Sequence, residues 1–320
     1  MKLVSSSLRC LARFGLLGLM TFGAFPSAHA SLIFEAPFDH WGTVHGGTLT
    51  ESTRRNDGTV TLETANPLGV ASGGYVNVTR TRGGKDLFHI GDVTPTGPAS
   101  SLGALFSVGE EWVSFQGGLD FYYRINSISN PSYNNWMRPI DLGGPVQPGE
   151  IRMILHSLTA STLRFHLLGE AGTSAFTNAK GQPVSEIIFD TAYADLSTVG
   201  VVNHIGLTFE TDADTGWITV RSFAQKGQDG IATSGTPLGS VQFKINSDVV
   251  TKGLSTGGWS LGAGHGNYED ALYSIDYDSL RIYNAVPESF AAIPEPGQLG
   301  LALIGGVACL VFYRRYRVKP

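Results

Sequence analysis

The sequence predicts an all-β protein whose main body is an antiparallel β-sandwich. Residues 31–290 contain short runs of alternating apolar and polar side chains, separated by turn residues, and no helical stripe longer than two turns. Of the 41 glycines, 34 lie within 31–293, about 13% of that stretch against roughly 7% in an average protein. Tight turns and bulges need this glycine, so we expect one all-β domain over 31–290.

About a dozen strands follow from the alternation. The run 112–125 alternates on both sides of Gly117 and Gly118, which predicts a bulge or tight bend there. The acidic segment 210–216 separates two later runs and is typical of a hairpin turn. The predicted strands are 31–38, 59–64, 75–81, 112–125, 151–155, 163–168, 185–189, 204–209, 217–223, 259–263 and 274–283.

The formal net charge of −5 is an average over unlike segments. Residues 1–30 carry three basic groups and no acid, and residues 314–320 carry four more. The stretch 31–293 has 15 basic and 26 acidic residues, a net charge of −11, which excludes a basic surface for nucleic acid. Both cysteines, Cys10 and Cys309, lie outside that stretch. Disulfides, cysteine-ligated zinc and cysteine nucleophiles are therefore excluded from it.

The two ends have the composition of export and membrane segments. Residues 1–30 combine basic groups, an apolar stretch over 14–25 and the small-x-small triplet 28–30, which predicts a signal peptide cleaved before Ser31. Residues 299–313 are an uncharged apolar run followed at once by Arg314, Arg315 and Arg317. Fifteen residues are short for a transmembrane helix, but snorkelling arginines extend it, and the basic tail would stay in the cytoplasm.

Just before this run stands the motif Pro294-Glu295-Pro296, after Ile293. The order of motif, apolar helix and arginines over 293–317 resembles the PEP-CTERM sorting signal of Gram-negative bacteria. The resemblance implies passage through the inner membrane, processing by signal peptidase and an exosortase, and a final place at the cell surface or in an extracellular matrix rich in polysaccharide. The two prolines would keep the segment extended and accessible to a processing enzyme.

Two stretches of the body also carry a resemblance. Residues 203–209 (NHIGLTF) lead through the acidic turn into 216–220, and 258–264 (GWSLGAG) precede 278–284 (DSLRIYN). Together they resemble the concanavalin A-like, LamG-type jelly roll, whose first strand, similar here to 36–39, pairs near the last. Pairing of the first and last strands would bring both ends of the body to one side.

Catalysis is not expected. A glucanase of this superfamily needs two carboxylates on one strand, and the nearest candidate, Glu210 with Asp212 and Asp214, runs straight into a turn. A glycoside hydrolase or lyase is therefore a minority hypothesis. His204 lies in a predicted strand, where a packed or hydrogen-bonded histidine is expected rather than a catalytic one.

Calcium and carbohydrate are the expected ligands. The resemblance implies a structural calcium ion between the first and last strands, at Asp278 with Asp39 opposite; alternatively, Asp278 caps a strand edge and pairs with Arg281 or solvent. Sugars bind flat aromatic side chains beside amides or carboxylates. Two probable loops have that composition, at Tyr133, Asn135 and Trp136 and at Asn267 and Tyr268, with Trp41 as a weaker candidate.

The sequence thus predicts an exported, non-catalytic β-sandwich that interacts with exopolysaccharide. The alternative is a structural biofilm-matrix protein without a specific ligand.

Overall fold

The computed structural model describes fourteen stretches of the chain, and both predicted terminal signals lie outside them. Within these stretches all regular structure is β, and no helix is long and apolar enough to span a membrane. The described residues are 30–38, 41–49, 58–63, 74–80, 88–90, 105–109, 112–128, 137–142, 146–159, 161–195, 198–227, 229–254, 259–264 and 273–290.

The strands follow one another along the chain without an intervening helix in the described residues. In chain order they are β1 (Leu32–Ala36), β2 (Gly42–Val44), β3 (Gly47–Leu49), β4 (Gly58–Glu63), β5 (Tyr75–Arg80), β6 (Phe88–Ile90), β7 (Phe106–Val108), β8 (Val113–Phe115), β9 (Gly117–Ile128), β10 (Met137–Leu142), β11 (Glu150–Thr159), β12 (Thr162–Leu168), β13 (Phe176–Asn178), β14 (Pro183–Val184), β15 (Glu186–Ala192), β16 (Val202–Thr211), β17 (Ile218–Lys226), β18 (Ile231–Ala232), β19 (Gly239–Ile245), β20 (Gly253–Leu254), β21 (Trp259–Gly264), β22 (Tyr273–Tyr283) and β23 (Ser289–Phe290).

Two large sheets contain most of these strands. The first sheet has the order β14-β13-β19-β17-β16-β9-β22-β5-β4, with β1 also paired to β22. The second has the order β15-β12-β11-β10-β21-β6-β3-β2. Neighbouring strands within both orders are antiparallel, and the short β20 runs parallel to β11. The all-β antiparallel architecture predicted from the sequence is confirmed.

A shared apolar core makes the two sheets a sandwich. Alternate residues of the central strand β9, including Leu119 and Phe121, are buried in the same cluster as Phe165 and Leu167 of β12 in the second sheet. This period of two is the one that a strand with one core face requires. Asp120 and His204 have the opposite parity and lie on the face of the first sheet that points away from the core, here called the outer face.

Each of the predicted strand runs contains strand structure, although several boundaries differ. The run 112–125 is divided into β8 and β9 at Gln116, one residue before the predicted position, and Gly117, with a φ of 148°, begins β9. The turn predicted over 210–216 is shorter, because Glu210 and Thr211 still belong to β16 and pair with β17.

The predicted pairing of the first and last long strands is also confirmed. β1 runs antiparallel to the end of β22, with Ala36 opposite Leu280 and Leu32 opposite Tyr283. Ser31 and Asn284 extend the contact through a backbone hydrogen bond and a bond from the Ser31 amide to the Asn284 side chain. The two ends of the described body therefore lie side by side.

After Asn284 the chain folds onto the outer face as a segment that we call the C-terminal strap, residues 285–290. Phe290 is fully buried, and its ring lies so close to Gly206 that a Cβ there would be 2.3 Å from it. Only glycine permits this approach. The loop after β17 holds the strap through pairing of β18 with β23 and a hydrogen bond from the Thr233 hydroxyl to the Glu288 carbonyl.

Candidate functional site

A buried cluster of charged groups occupies the centre of the outer face. Asp120 of β9 accepts hydrogen bonds from both neighbouring strands: from Arg281 of β22, whose Nε is 3.2 Å from Oδ1, and from His204 of β16, whose Nε2 is 2.7 Å from Oδ2. The side chains of Asp120 and His204 are fully buried, and that of Arg281 is 8% exposed. We call these three residues the polar cluster.

His204 is held on both sides of its ring. Its Nδ1 lies 3.0 Å from the Asp229 carbonyl oxygen, and the ring stacks on Tyr122 at 4.0 Å between centroids. A hydrogen-bond acceptor therefore faces each ring nitrogen of His204. The expectation that His204 is packed and hydrogen-bonded is confirmed.

The strap and its supporting loop separate the polar cluster from solvent. Burial alone would lower the pKa of the Arg281 guanidinium, but the attraction and hydrogen bond of Asp120, together with the neighbouring Tyr283 and Tyr122, raise that pKa overall. Burial and the same carboxylate raise the pKa of the Tyr283 hydroxyl. Among the described residues the polar cluster is enclosed by the sheet, the strap and the loop, and we interpret its role as structural.

An open groove lies on the same face, at the hairpin that joins β16 and β17. Six residues of β16 separate His204 from Glu210, or about 20 Å of strand. The groove has a volume of about 460 Å³. Glu210, Thr219 and Gln242 cross its floor in one row, because they are register partners on β16, β17 and β19. We call it the Trp217 groove, after its aromatic side chain.

The polar side chains of the Trp217 groove are bonded to one another. Glu210 and Arg221 form an ion pair at 2.7 Å, and the Gln242 amide donates to the Thr219 hydroxyl at 3.1 Å. Lys244 lies 5.2 Å from the centroid of the half-buried Trp217 ring. The groove thus combines an aromatic face with an amide, a carboxylate, a hydroxyl and a guanidinium, the groups that bind sugar rings and sugar hydroxyls.

Asp212 holds the turn beside the groove. Its Oδ1 accepts backbone hydrogen bonds from Asp214 at 3.0 Å and from Thr215 at 2.9 Å. Hydrogen bonds from the Thr215 side chain and backbone, and from the Asp214 backbone, lower the pKa of the Asp212 carboxyl. A general acid for glycoside cleavage needs a raised pKa. Of the described acids in the groove, Glu210 is engaged in an ion pair and Asp212 in the hydrogen bonds of the turn.

Most residues singled out from the sequence lie outside the described stretches. This holds for both loop patches and for the opposite partner of the expected calcium ligand. Trp41, the weaker aromatic candidate, is described and packs against the core. The residues outside are Asp39, Tyr133, Asn135, Trp136, Asn267, Tyr268, Pro294, Glu295, Pro296, Arg314, Arg315 and Arg317.

Asp278 is the one expected calcium ligand that the structure describes. It is fully buried on β22 and accepts a hydrogen bond from the Ser279 hydroxyl at 2.9 Å. The alternative that it caps an edge is wrong, because β22 lies inside the sheet between β9 on one side and β5 and β1 on the other. Arg281, its suggested partner, donates to Asp120.

The polar cluster and the Trp217 groove depend on residues to which the sequence reasoning gave no role. Asp120 stands in a run of alternating residues, where nothing indicates that its side chain is buried. Gln242 and Lys244 belong to β19, which was not predicted, although 241–245 (VQFKI) alternates strictly. That alternation could have revealed the strand and placed both polar side chains on one face.

Comparisons with solved structures find distant likenesses to β-rich binding domains. The CBM40 of Ruminococcus gnavus IT-sialidase bound to α2,3-sialyllactose is 15% identical, with 63% of this chain and 89% of that chain covered and a TM-score of 0.32. The botulinum neurotoxin serotype G binding domain is 10% identical, with 80% and 48% covered and a TM-score of 0.37. The CBM2 module of the evolved Dit of Lactobacillus casei BL23 phage J-1 is 9% identical, with 83% and 98% covered and a TM-score of 0.29.

Likenesses at these TM-scores carry no argument about function. No family model and no curated protein matches the chain.

Asp120→Asn should destabilise the fold by about 3–5 kcal/mol, because it leaves the buried Arg281 guanidinium without its carboxylate. The measurement is the free energy of unfolding in denaturant. Asp190→Asn is the matched control, since it removes an exposed ion pair with Arg164 and should cost about 0–1 kcal/mol. Equal losses for the two variants would contradict the structural role of the polar cluster.

Proposed function

We propose that this chain is an exported, non-catalytic β-sandwich that binds carbohydrate at the cell surface or in an extracellular matrix. The observation that carries the proposal is the Trp217 groove, in which an aromatic side chain stands beside an amide, a carboxylate and a guanidinium on an open sheet face. Its volume of about 460 Å³ falls in the range of about 300–1,000 Å³ common for ligand pockets.

The carboxylates of the groove are already engaged in contacts within the protein, which favours sugar binding over sugar hydrolysis. A retaining or inverting glycosidase uses one carboxyl as a proton donor and a second as nucleophile or base. Glu210 is paired with Arg221, and Asp212 is kept ionised by the hydrogen bonds of its turn. Retained glycan binding without turnover is therefore the expected behaviour.

Glycan-array binding of the protein tests this function. Trp217→Ala should weaken binding about tenfold or more, because it removes the aromatic face, whereas Trp217→Phe retains a ring and should lose less. Both variants should keep the turn, because the Asp212 backbone amide donates its hydrogen bond to the Trp217 backbone carbonyl, which neither substitution removes. The double variant Tyr133→Ala, Trp136→Ala examines the loop site predicted from the sequence in the same assay.

Two outcomes would contradict the proposal. Folded protein that binds no glycan would leave the structural matrix role, and turnover of a bound polysaccharide that Glu210→Gln abolishes would favour a hydrolase or lyase.

Export and sorting form the second part of the proposal. They rest on the sequence of the two terminal segments and are compatible with a body whose first and last long strands are paired. Mass spectrometry of protein recovered from the cell surface should find a mature chain that begins at Ser31 and lacks 314–320. Recovery of 314–320 on surface protein would contradict processing at Pro294-Glu295-Pro296.

A structural calcium ion, held by Asp278 and Asp39, is the third part. The buried Asp278 carboxylate is an oxygen ligand of the type that calcium prefers, and β1 ends opposite Leu280, with Asp39 three residues after Ala36 in the sequence. Among the described residues no three His, Cys, Asp or Glu side chains are grouped closely enough for a metal ion, so the site requires Asp39 and further oxygen atoms from undescribed residues or water.

Calcium at a hundred times its Kd should raise the melting temperature of EDTA-treated protein by about 5–10 °C, since this saturation contributes about 2.7 kcal/mol. Asp39→Asn, used beside Asp278→Asn in case the buried change prevents folding, should abolish the rise. The same melting temperature in calcium and in EDTA would remove calcium from the proposal.

A further inference from the structure

A second groove adjoins the Trp217 groove at the edge of the sandwich. It has a volume of about 280 Å³ and shares two lining residues, Ala179 and Gln242, with the first. We call it the edge groove; its other lining residues include Asn178, Lys180, Val184, Glu186, Ile188 and Val241.

The shared residues show that the two grooves are adjacent on the sheet. Gln242 belongs to β19, and Ala179 directly follows β13, which pairs with β19 on one side and β14 on the other. Glu210 of β16 marks one end of the path and Val184 of β14 the other. Five adjacent strands are about 19 Å across, and residues of β15 in the second sheet also line the edge groove.

We propose that the Trp217 groove and the edge groove form one cleft that holds a linear, uncharged polysaccharide chain across the edge of the sandwich. The inference rests on the proposed function and adds the ligand class. A path of this length needs several linked sugar rings, whereas a single terminal sugar would fill one groove.

The edge groove supplies apolar contacts that suit the C–H faces of sugar rings. Ile188 is 39% exposed although it is a large apolar side chain, and Val184 and Val241 are half-buried. Two cross-strand contacts flank Ile188 on β12 and β15: the ion pair of Arg164 with Asp190 and the hydrogen bond of His166 with Glu186. Ile188 therefore lies on a strand that is fixed by cross-strand contacts, so its side chain needs little ordering when a ligand binds.

The charges along the cleft nearly balance, which favours an uncharged ligand. Arg221 and Lys180 line it with the acids Glu210, Asp212 and Glu186, and Lys244 beside the Trp217 ring adds a third positive charge close by. The stretch 31–293 as a whole has a net charge of −11, which would repel a polyanion. The cleft has no excess of positive charge to offset that repulsion.

Chain-length dependence tests the cleft. Neutral β-1,4- and β-1,3-glucan and β-1,4-mannan fragments of two, four and six sugars are titrated against the protein, by NMR for short fragments and calorimetry for long ones. For a fragment series that binds, Kd should fall about tenfold or more from two to six sugars, equivalent to at least about 1.4 kcal/mol. It should change less than about twofold between 0.05 and 0.5 M NaCl, because a charge-balanced contact is little affected by screening.

Variants separate the two halves of the cleft. Ile188→Ser should weaken binding of six-sugar fragments about fivefold and leave two-sugar binding unchanged, whereas Trp217→Ala should weaken both. Val199→Ser is the matched control, because Val199 is 55% exposed and does not line either groove, and it should leave all affinities unchanged.

The inference fails if fragments of two and six sugars bind equally, if Ile188→Ser has no more effect than Val199→Ser, or if the array glycans that bind are all charged or single terminal sugars. Each of these results would contradict the extended cleft but not the proposed carbohydrate binding. Failure of every glycan on the array would instead remove the proposed function itself.

Discussion

The hydrogen bonds of the Asp120 carboxylate are the interaction on which the centre of the first sheet depends. Asp120 lies on the middle strand β9 and binds Arg281 and His204, which are 161 and 84 residues away in sequence, on the strands to either side. A buried carboxylate and its buried guanidinium partner are costly to separate, because each group left alone would lack both solvent and a counter-charge. Strand slippage by one residue would move these side chains to the core face, so the cluster also favours a single register for β9, β16 and β22.

Burial of that cluster divides the outer face into a closed centre and an open end. The strap reaches the sheet only because Gly206 lacks a side chain, and Phe290 then fills the space above the strand beside His204. A sheet face covered by its own chain cannot admit a ligand. The β16–β17 hairpin extends about 20 Å beyond His204, and there the same face stays open, as the Trp217 groove.

Alternation and glycine content were sufficient to predict the fold class and most of the longer strands, although not β10 and β19, because a strand with one buried face leaves a period of two in the sequence. They could not predict the polar cluster, since Asp120 has the outward parity of a solvent-exposed residue and is buried only by a strap more than 160 residues later. The Trp217 groove was missed for a related reason: Gln242 and Glu210 become neighbours only through the β16–β17–β19 register. The segment 210–216 was treated as a solvated turn, yet Glu210 belongs to β16 and lines the groove.

The groove's internal bonds also determine what kind of binding it can support. The polar side chains of the groove are already hydrogen-bonded without a ligand, so binding needs little further side-chain ordering. These bonds join Glu210 to Arg221, Gln242 to Thr219, and Asp212 to its turn. The same bonds use part of the donors and acceptors that a sugar would need, which limits the energy available from any one contact. Affinity must then come from the Trp217 face and from repeating modest contacts along a longer ligand. A second groove that adjoins the first at Gln242 provides the length for that repetition.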